Sequence, residues 1–197
     1  MQFSHTHSKG FTLIETLISI VIVSIAVITA TAALQSSLQT SVFVKNQITA
    51  RYLASDAMEY ILALRDAGAA TPQGWMSELL PCVTTVNGSV TCSVDTVNLS
   101  LTPITSTPSP LYLCSVSDGN GGTVNVFTQN NTGSCTQTIF TRTVTITPIQ
   151  LIPGYSNDVN QYNEAIVSVK VSWGSGPFSS AQSYTLAEDI YNWQPPS

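Results

Sequence analysis

Residues 11–34 read FTLIETLISIVIVSIAVITATAAL, and from Thr16 through Val44 there are 29 residues without a charge. About 20 apolar residues cross a hydrocarbon core of about 30 Å as a helix, so this stretch is long enough to span a membrane. Neither Gly nor Pro occurs between Phe11 and Ala67. Nothing forces a break there, and the sequence predicts a helix over 11–67, a rod of roughly 85 Å at 1.5 Å per residue. Its membrane and assembly portion is expected over about 11–38. A cleaved secretory signal has an apolar core of about 7–15 residues followed by a small-residue site, whereas here helix-compatible sequence simply continues. Glu15 is the anomaly. A carboxylate near the bilayer centre costs about 2.5–3.5 kcal/mol, less near an interface, and usually marks a functional partner. The plainer reading is an acid lying among lipid headgroups.

The whole chain has 197 residues, of which 9% are charged and 43% hydrophobic. Ordinary soluble proteins carry about a quarter charged residues, so a conventional soluble enzyme fits poorly and a disordered chain fits worse. Six Lys+Arg against eleven Asp+Glu give a net charge of −5. After residue 66 only Arg142 and Lys170 are basic, against seven acids, which leaves little to neutralise a nucleic-acid backbone.

Upstream of the apolar run, Met1 to Lys9 is polar and weakly basic and contains both histidines, His5 and His7. The junction Lys9-Gly10-Phe11-Thr12-Leu13-Ile14-Glu15 resembles the leader junction of type IV prepilins and of the related pseudopilins of type II secretion. The resemblance covers about the first 35 residues. It implies a leader over 1–10, cleavage by a prepilin peptidase between Gly10 and Phe11, N-methylation of Phe11, and Glu15 as the family's assembly glutamate. It also implies insertion in the bacterial inner membrane as a single-pass precursor with the head outside the cytoplasm. Its partners would be other pilin subunits, an inner-membrane assembly platform and the lipid bilayer. The residue chemistry agrees. Gly10 lets a protease approach the backbone closely. Cutting there leaves an α-amine on Phe11 one turn from Glu15, and neither charge alone sits cheaply in an apolar filament core. One departure stands out: Ser19 to Ala33 has neither the Gly nor the Pro found in many major pilins. Ser24, Thr29 and Thr31 could loosen the helix slightly by bonding back to carbonyls. This weakens the case for a major pilin, and a minor, tip or priming subunit is the second reading within the class.

Downstream of Val44 the helix changes character. At 100° per residue Ala50, Leu53, Ala57, Tyr60, Ile61 and Leu64 gather on one face, with Arg51, Glu59 and Asp66 broadly opposite. This half is predicted to dock on the chain's own sheet and to end at Asp66-Ala67, with Gly68 as the C′ residue. A head of β structure, 68–197, follows. A short helical piece is expected over Trp75–Leu80, a hairpin at Thr84–Thr91 around Asn87-Gly88, and a strand over Val94–Leu101. Thr102–Pro110, with three prolines, reads as a loop. Further strands are expected at Leu111–Val116, Thr123–Thr128, Phe140–Thr147, Ala165–Trp173 and Tyr184–Trp193. With no helices between them the sheet should be mainly antiparallel. The fold class is α+β: a long N-terminal helix packed on an antiparallel head, which is also the pilin-like architecture.

Cys82, Cys92, Cys114 and Cys135 allow three pairings. Cys82 and Cys92 bracket the expected hairpin, which would leave Cys114 with Cys135. Disulfides imply an oxidising compartment. A zinc site has no CxxC pair, and no histidine remains after leader removal. The same removal leaves no histidine for Ser-His-Asp or Cys-His catalysis, so no catalytic residue, metal or cofactor is expected. Asp118-Gly-Asn-Gly-Gly and Glu188-Asp189 are short acidic stretches that read as solvated turns before they read as calcium sites. The expectation is a processed, non-enzymatic filament subunit. The alternative is a signal-anchored extracytoplasmic binding or adhesion domain that does not polymerise.

Overall fold

The computed structural model describes residues 10, 12–71, 74–83, 90–131, 135–149, 163–174 and 181–193. Helix α1 spans Leu13–Ala69 and is followed by a 3-10 turn, Ser77–Cys82. Seven strands follow: β1 Cys92–Asp95, β2 Ser100–Pro103, β3 Pro110–Ser117, β4 Thr123–Thr128, β5 Cys135–Ile149, β6 Glu164–Trp173 and β7 Gln182–Tyr191. The expected hairpin over Thr84–Thr91 lies mostly outside the described residues.

The chain divides into two compact units, Met1–Lys45 and Asn46–Ser197. In the first, every described residue from Thr12 to Lys45 is exposed, so this part of the helix has no buried side chain among the described residues. Its hydroxyls are satisfied internally: Ser19, Ser24 and Thr31 donate to the carbonyls of Glu15, Ile20 and Val27 at 2.7–2.8 Å. These bonds leave the helix unbroken, and in a medium without water they remove the need for an outside partner.

In the second unit Ala50, Leu53, Ala54, Ala57, Met58 and Ile61 are buried, a helical stripe against the sheet. Small side chains at three of these positions bring the backbone of α1 close. The expected face is present with one modification: Tyr60 and Leu64 lie at its half-buried margin. The sheet supplies alternate residues. Ala165, Val167, Val169, Val171 and Trp173 of β6 face the core, as do Val144 and Ile146 of β5.

The sheet is antiparallel in the order β2-β1-β5-β3-β4, with β6 on β5 and β7 on β6. An isolated parallel bridge, Val83 to Ile146, joins the end of the 3-10 turn to it. The 15-residue β5 is the organiser. It pairs β6 from Thr141 to Ile149, β3 from Cys135 to Thr141, and β1 only at Val144.

Two sequence expectations are corrected. Gly68 is not a C′ residue, because the helix continues through it to Ala69. Its role is close approach: a Cβ there would stand 2.8 Å from the Trp75 carbonyl oxygen. Val94–Leu101 is not one strand but two, β1 and β2, joined by a turn at 96–99. The cause is Asp95, whose carboxylate accepts the N–H groups of Val97 and Asn98 at 3.1 and 3.3 Å and so folds the chain back on itself.

Candidate processing and assembly site

Gly10 is exposed, and a Cβ placed on it would meet nothing within 4 Å. Nothing in the packing of the described residues therefore requires glycine at this position. Phe11 and the leader residues 1–9 lie outside the described residues. Thr12 opens the helix: its carbonyl accepts the N–H groups of Glu15 and Thr16 at 3.1 and 3.2 Å, and its hydroxyl sits 3.4 Å from the Glu15 nitrogen. This is N-cap geometry, and Thr12-Leu13-Ile14-Glu15 has the Thr-x-x-Glu spacing of a capping box. The sequence reading passed over that signal. Glu15 is exposed in the first turn, where the positive end of the helix dipole favours an acid. Among the described residues it makes no ion pair.

The head holds a second constellation that sequence reasoning placed but did not interpret. Arg142 lies on the core face of β5 with its side chain 0% exposed, paired at 2.8 Å with Asp56 of α1, which is 49% exposed. Its Nη1 also donates to the Leu53 carbonyl at 2.9 Å, and Nη2 donates to the Val94 carbonyl at 2.8 Å. The last bond has a topological cause. β1 leaves β5 after the single pair Cys92–Val144, so Val94 must find a donor elsewhere. One guanidinium thus ties α1, β1 and β5 together, and one of the head's two basic residues is unable to meet a phosphate. Alternation along β5 was the signal, since Arg142 shares its phase with Phe140, Val144 and Ile146.

Asp95 is 4% exposed at the end of β1. Besides the two turn N–H groups it accepts Asn98 Nδ2 at 2.8 Å and the Thr128 hydroxyl at 2.7 Å, which stitches the β1–β2 hairpin to β4. Burial pushes its carboxyl upward, but the bonds from Asn98, Thr128 and Val97 prevail and hold it below the ordinary carboxylate range.

The disulfides are Cys82–Cys92, joining the 3-10 turn to β1, and Cys114–Cys135, bridging directly opposed residues of β3 and β5. Asp118 turns its carboxylate on its own loop, accepting N–H groups of Asn120 and Gly122 at 2.9 and 2.8 Å. Glu188 and Asp189 are neighbours on β7, where successive side chains point to opposite faces. Among the described residues no group of three or more His, Cys, Asp or Glu is placed to hold a metal.

Comparison with known families matches residues 5–31 to the prokaryotic N-terminal methylation motif. Searches of curated proteins and of solved structures found no match. The matched segment contains Gly10, Phe11 and Glu15 and runs into a helix long and apolar enough to cross a membrane. Together these features fit a membrane-anchored precursor of pilin-like architecture. The chain carries, at residues 5–31, the prepilin-type cleavage and methylation motif of type IV pilins and pseudopilins, ahead of an α+β fold of long helix and antiparallel sheet.

Proposed function

We propose that the chain is a structural subunit of a type IV pilus or type II secretion-like filament, acting through assembly and display rather than catalysis. The observation that carries this reading is a methylation motif leading straight into a helix whose described residues 12–45 are all exposed. Such a surface needs lipid before assembly and neighbouring helices after it. The precursor sits in the bacterial inner membrane with its head outside the cytoplasm, a compartment that suits two disulfides. Prepilin peptidase hydrolyses the Gly10–Phe11 bond and methylates the new amine. The open space around Gly10 supports a role in meeting another molecule.

Phe11 and Glu15 are one turn apart, the spacing at which side groups on a helix become neighbours. In the filament the Glu15 carboxylate neutralises the Phe11 amine of its own or an adjacent subunit, since either charge buried alone is costly. The uninterrupted helix favours a minor or priming position. Mass spectrometry of the mature N-terminus tests the reading. N-methylphenylalanine at residue 11 is expected; an intact Met1, or a cut elsewhere, overturns it in favour of a signal-anchored head that does not polymerise.

A further inference from the structure

We infer that a groove between α1 and β4 is the docking site for the Leu34–Leu38–Val42 stripe of a second copy's helix. The inference rests on the filament reading and adds the surface by which one subunit's head takes the helix of the next.

The groove has a volume of about 540 Å³, and its walls include Tyr52, Leu53 and Asp56 of α1, Val97 of the β1–β2 turn, and Val126 and Phe127 of β4. Asp56 is the one charged residue among these six, and its carboxylate is matched by the buried Arg142 guanidinium. Thr49 and Thr96 complete the walls, so the groove is mostly apolar and close to neutral. Tyr52 is 74% exposed, a large aromatic that the fold leaves uncovered. The turn that supplies Val97 also holds Leu99 at φ 50, with its side chain 69% exposed. Glycine or asparagine would occupy that backbone conformation with less strain. Leu99 is not a wall of the groove, but it displays an apolar side chain at a strained position in the same turn, and such outliers gather at functional surfaces.

The occupant follows from the helix. A crossing of about 20 residues that begins at Leu13 is complete near Ala33. Beyond it Leu34, Leu38 and Val42 recur at i, i+4 and i+8, each more than half exposed. Between them lie Gln35, Ser36, Ser37, Gln39, Thr40 and Ser41. This is one apolar stripe on an uncharged helix, the pattern by which a helix enters a groove. From Leu34 to Val42 the stripe runs about 12 Å along its axis, and the helical wall of the groove from Thr49 to Asp56 runs about 10 Å. Charge matches as well: the helix has no charge from Thr16 through Val44, and the groove has close to no net charge to offer a basic or acidic partner.

The test uses the full-length chain in a host with the peptidase and assembly machinery, with p-benzoylphenylalanine replacing Tyr52, a change that keeps an aromatic ring at an exposed position. Irradiated fibres are expected to yield a crosslink between residue 52 and the 34–44 segment of another copy. Leu38→Gln, which keeps the helix, and Val97→Asp, which charges the groove, should each lower that crosslink at least fivefold while the head retains its melting temperature. Crosslinks only to a neighbour's head, to lipid or to a different protein overturn the inference, as does their absence from fibres that do form. A wild-type chain that is never cut at Gly10 and forms no fibre sinks the filament reading itself. Cut chains whose fibres lack the 34–44 crosslink sink the groove alone.

Discussion

At the scale of single residues, the head depends on two polar groups placed where burial makes them consequential. Arg142 is enclosed and bonds to Leu53, Asp56 and Val94. Substituting Leu removes the donor for two backbone carbonyls and leaves Asp56 with only the Thr96 hydroxyl and water, and breaking a buried pair costs about 3–5 kcal/mol. Because Asp56 is half exposed, the lower end, about 3 kcal/mol, is expected for Arg142→Leu by urea unfolding of the detergent-solubilised chain. Asp95 makes a prediction about pH. Its folded carboxyl titrates below the ordinary range, so its stabilisation is complete above the unfolded pKa of about 3.9 and is lost as pH falls through the lower folded value. Asp95→Asn should therefore destabilise most at neutral pH, and the gap from wild type should shrink steadily below about pH 4 in a series of thermal melts. Glu15 is tested separately. Glu15→Ala should leave cutting at Gly10 intact and reduce incorporation into fibres, measured as the ratio of sheared to membrane-retained subunit; normal incorporation would remove the pairing role.

At the scale of elements, Gly68 illustrates how packing overrides propensity. Alanine is the better helix former by about 1 kcal/mol, yet a Cβ here would press on the Trp75 backbone oxygen at 2.8 Å. Gly68→Ala should lower the melting temperature despite that gain in propensity. The two disulfides differ in the loops they close, with sequence separations of 10 and 21. Chain entropy makes the loss of Cys114–Cys135 costlier than the loss of Cys82–Cys92 by about 0.6 kcal/mol, on a base of about 2–4 kcal/mol each. Paired Cys→Ala variants compared in denaturant would show that order.

At the scale of the whole molecule, the proposed processing would change both charge and surface. Removing residues 1–10 takes away Lys9 and both histidines, so the net charge moves from −5 to −6. That would leave a helix without charge from Thr16 through Val44 and a head that carries few charges. The head's outer edges, β2, β4 and β7, each pair on one side only. Such edges invite pairing with other chains. Two hairpins of the head, β1–β2 and β3–β4, are linked by the Asp95–Thr128 bond, and the groove opens between that junction and α1.

The helix, its uncharged run from Thr16 through Val44, the junction at Gly10 and the alternation of β5 and β6 were legible because each is a local pattern, set by period, by missing breakers or by adjacent residue types. The hairpin hidden in 92–103 was not legible, because an Asp side chain turns the chain there in place of a Gly or Pro. The purpose of Gly68 was not legible either, since the atom it accommodates belongs to Trp75. Sequence by itself determined that this protein has a prepilin-type N-terminus on a membrane-capable helix and a disulfide-bearing β head. Only the tertiary structure decided that a buried arginine would join helix to sheet and that a neutral groove would open beside α1. The physical reason is that both depend on which backbone carbonyls and apolar surfaces remain unpaired once distant strands have met.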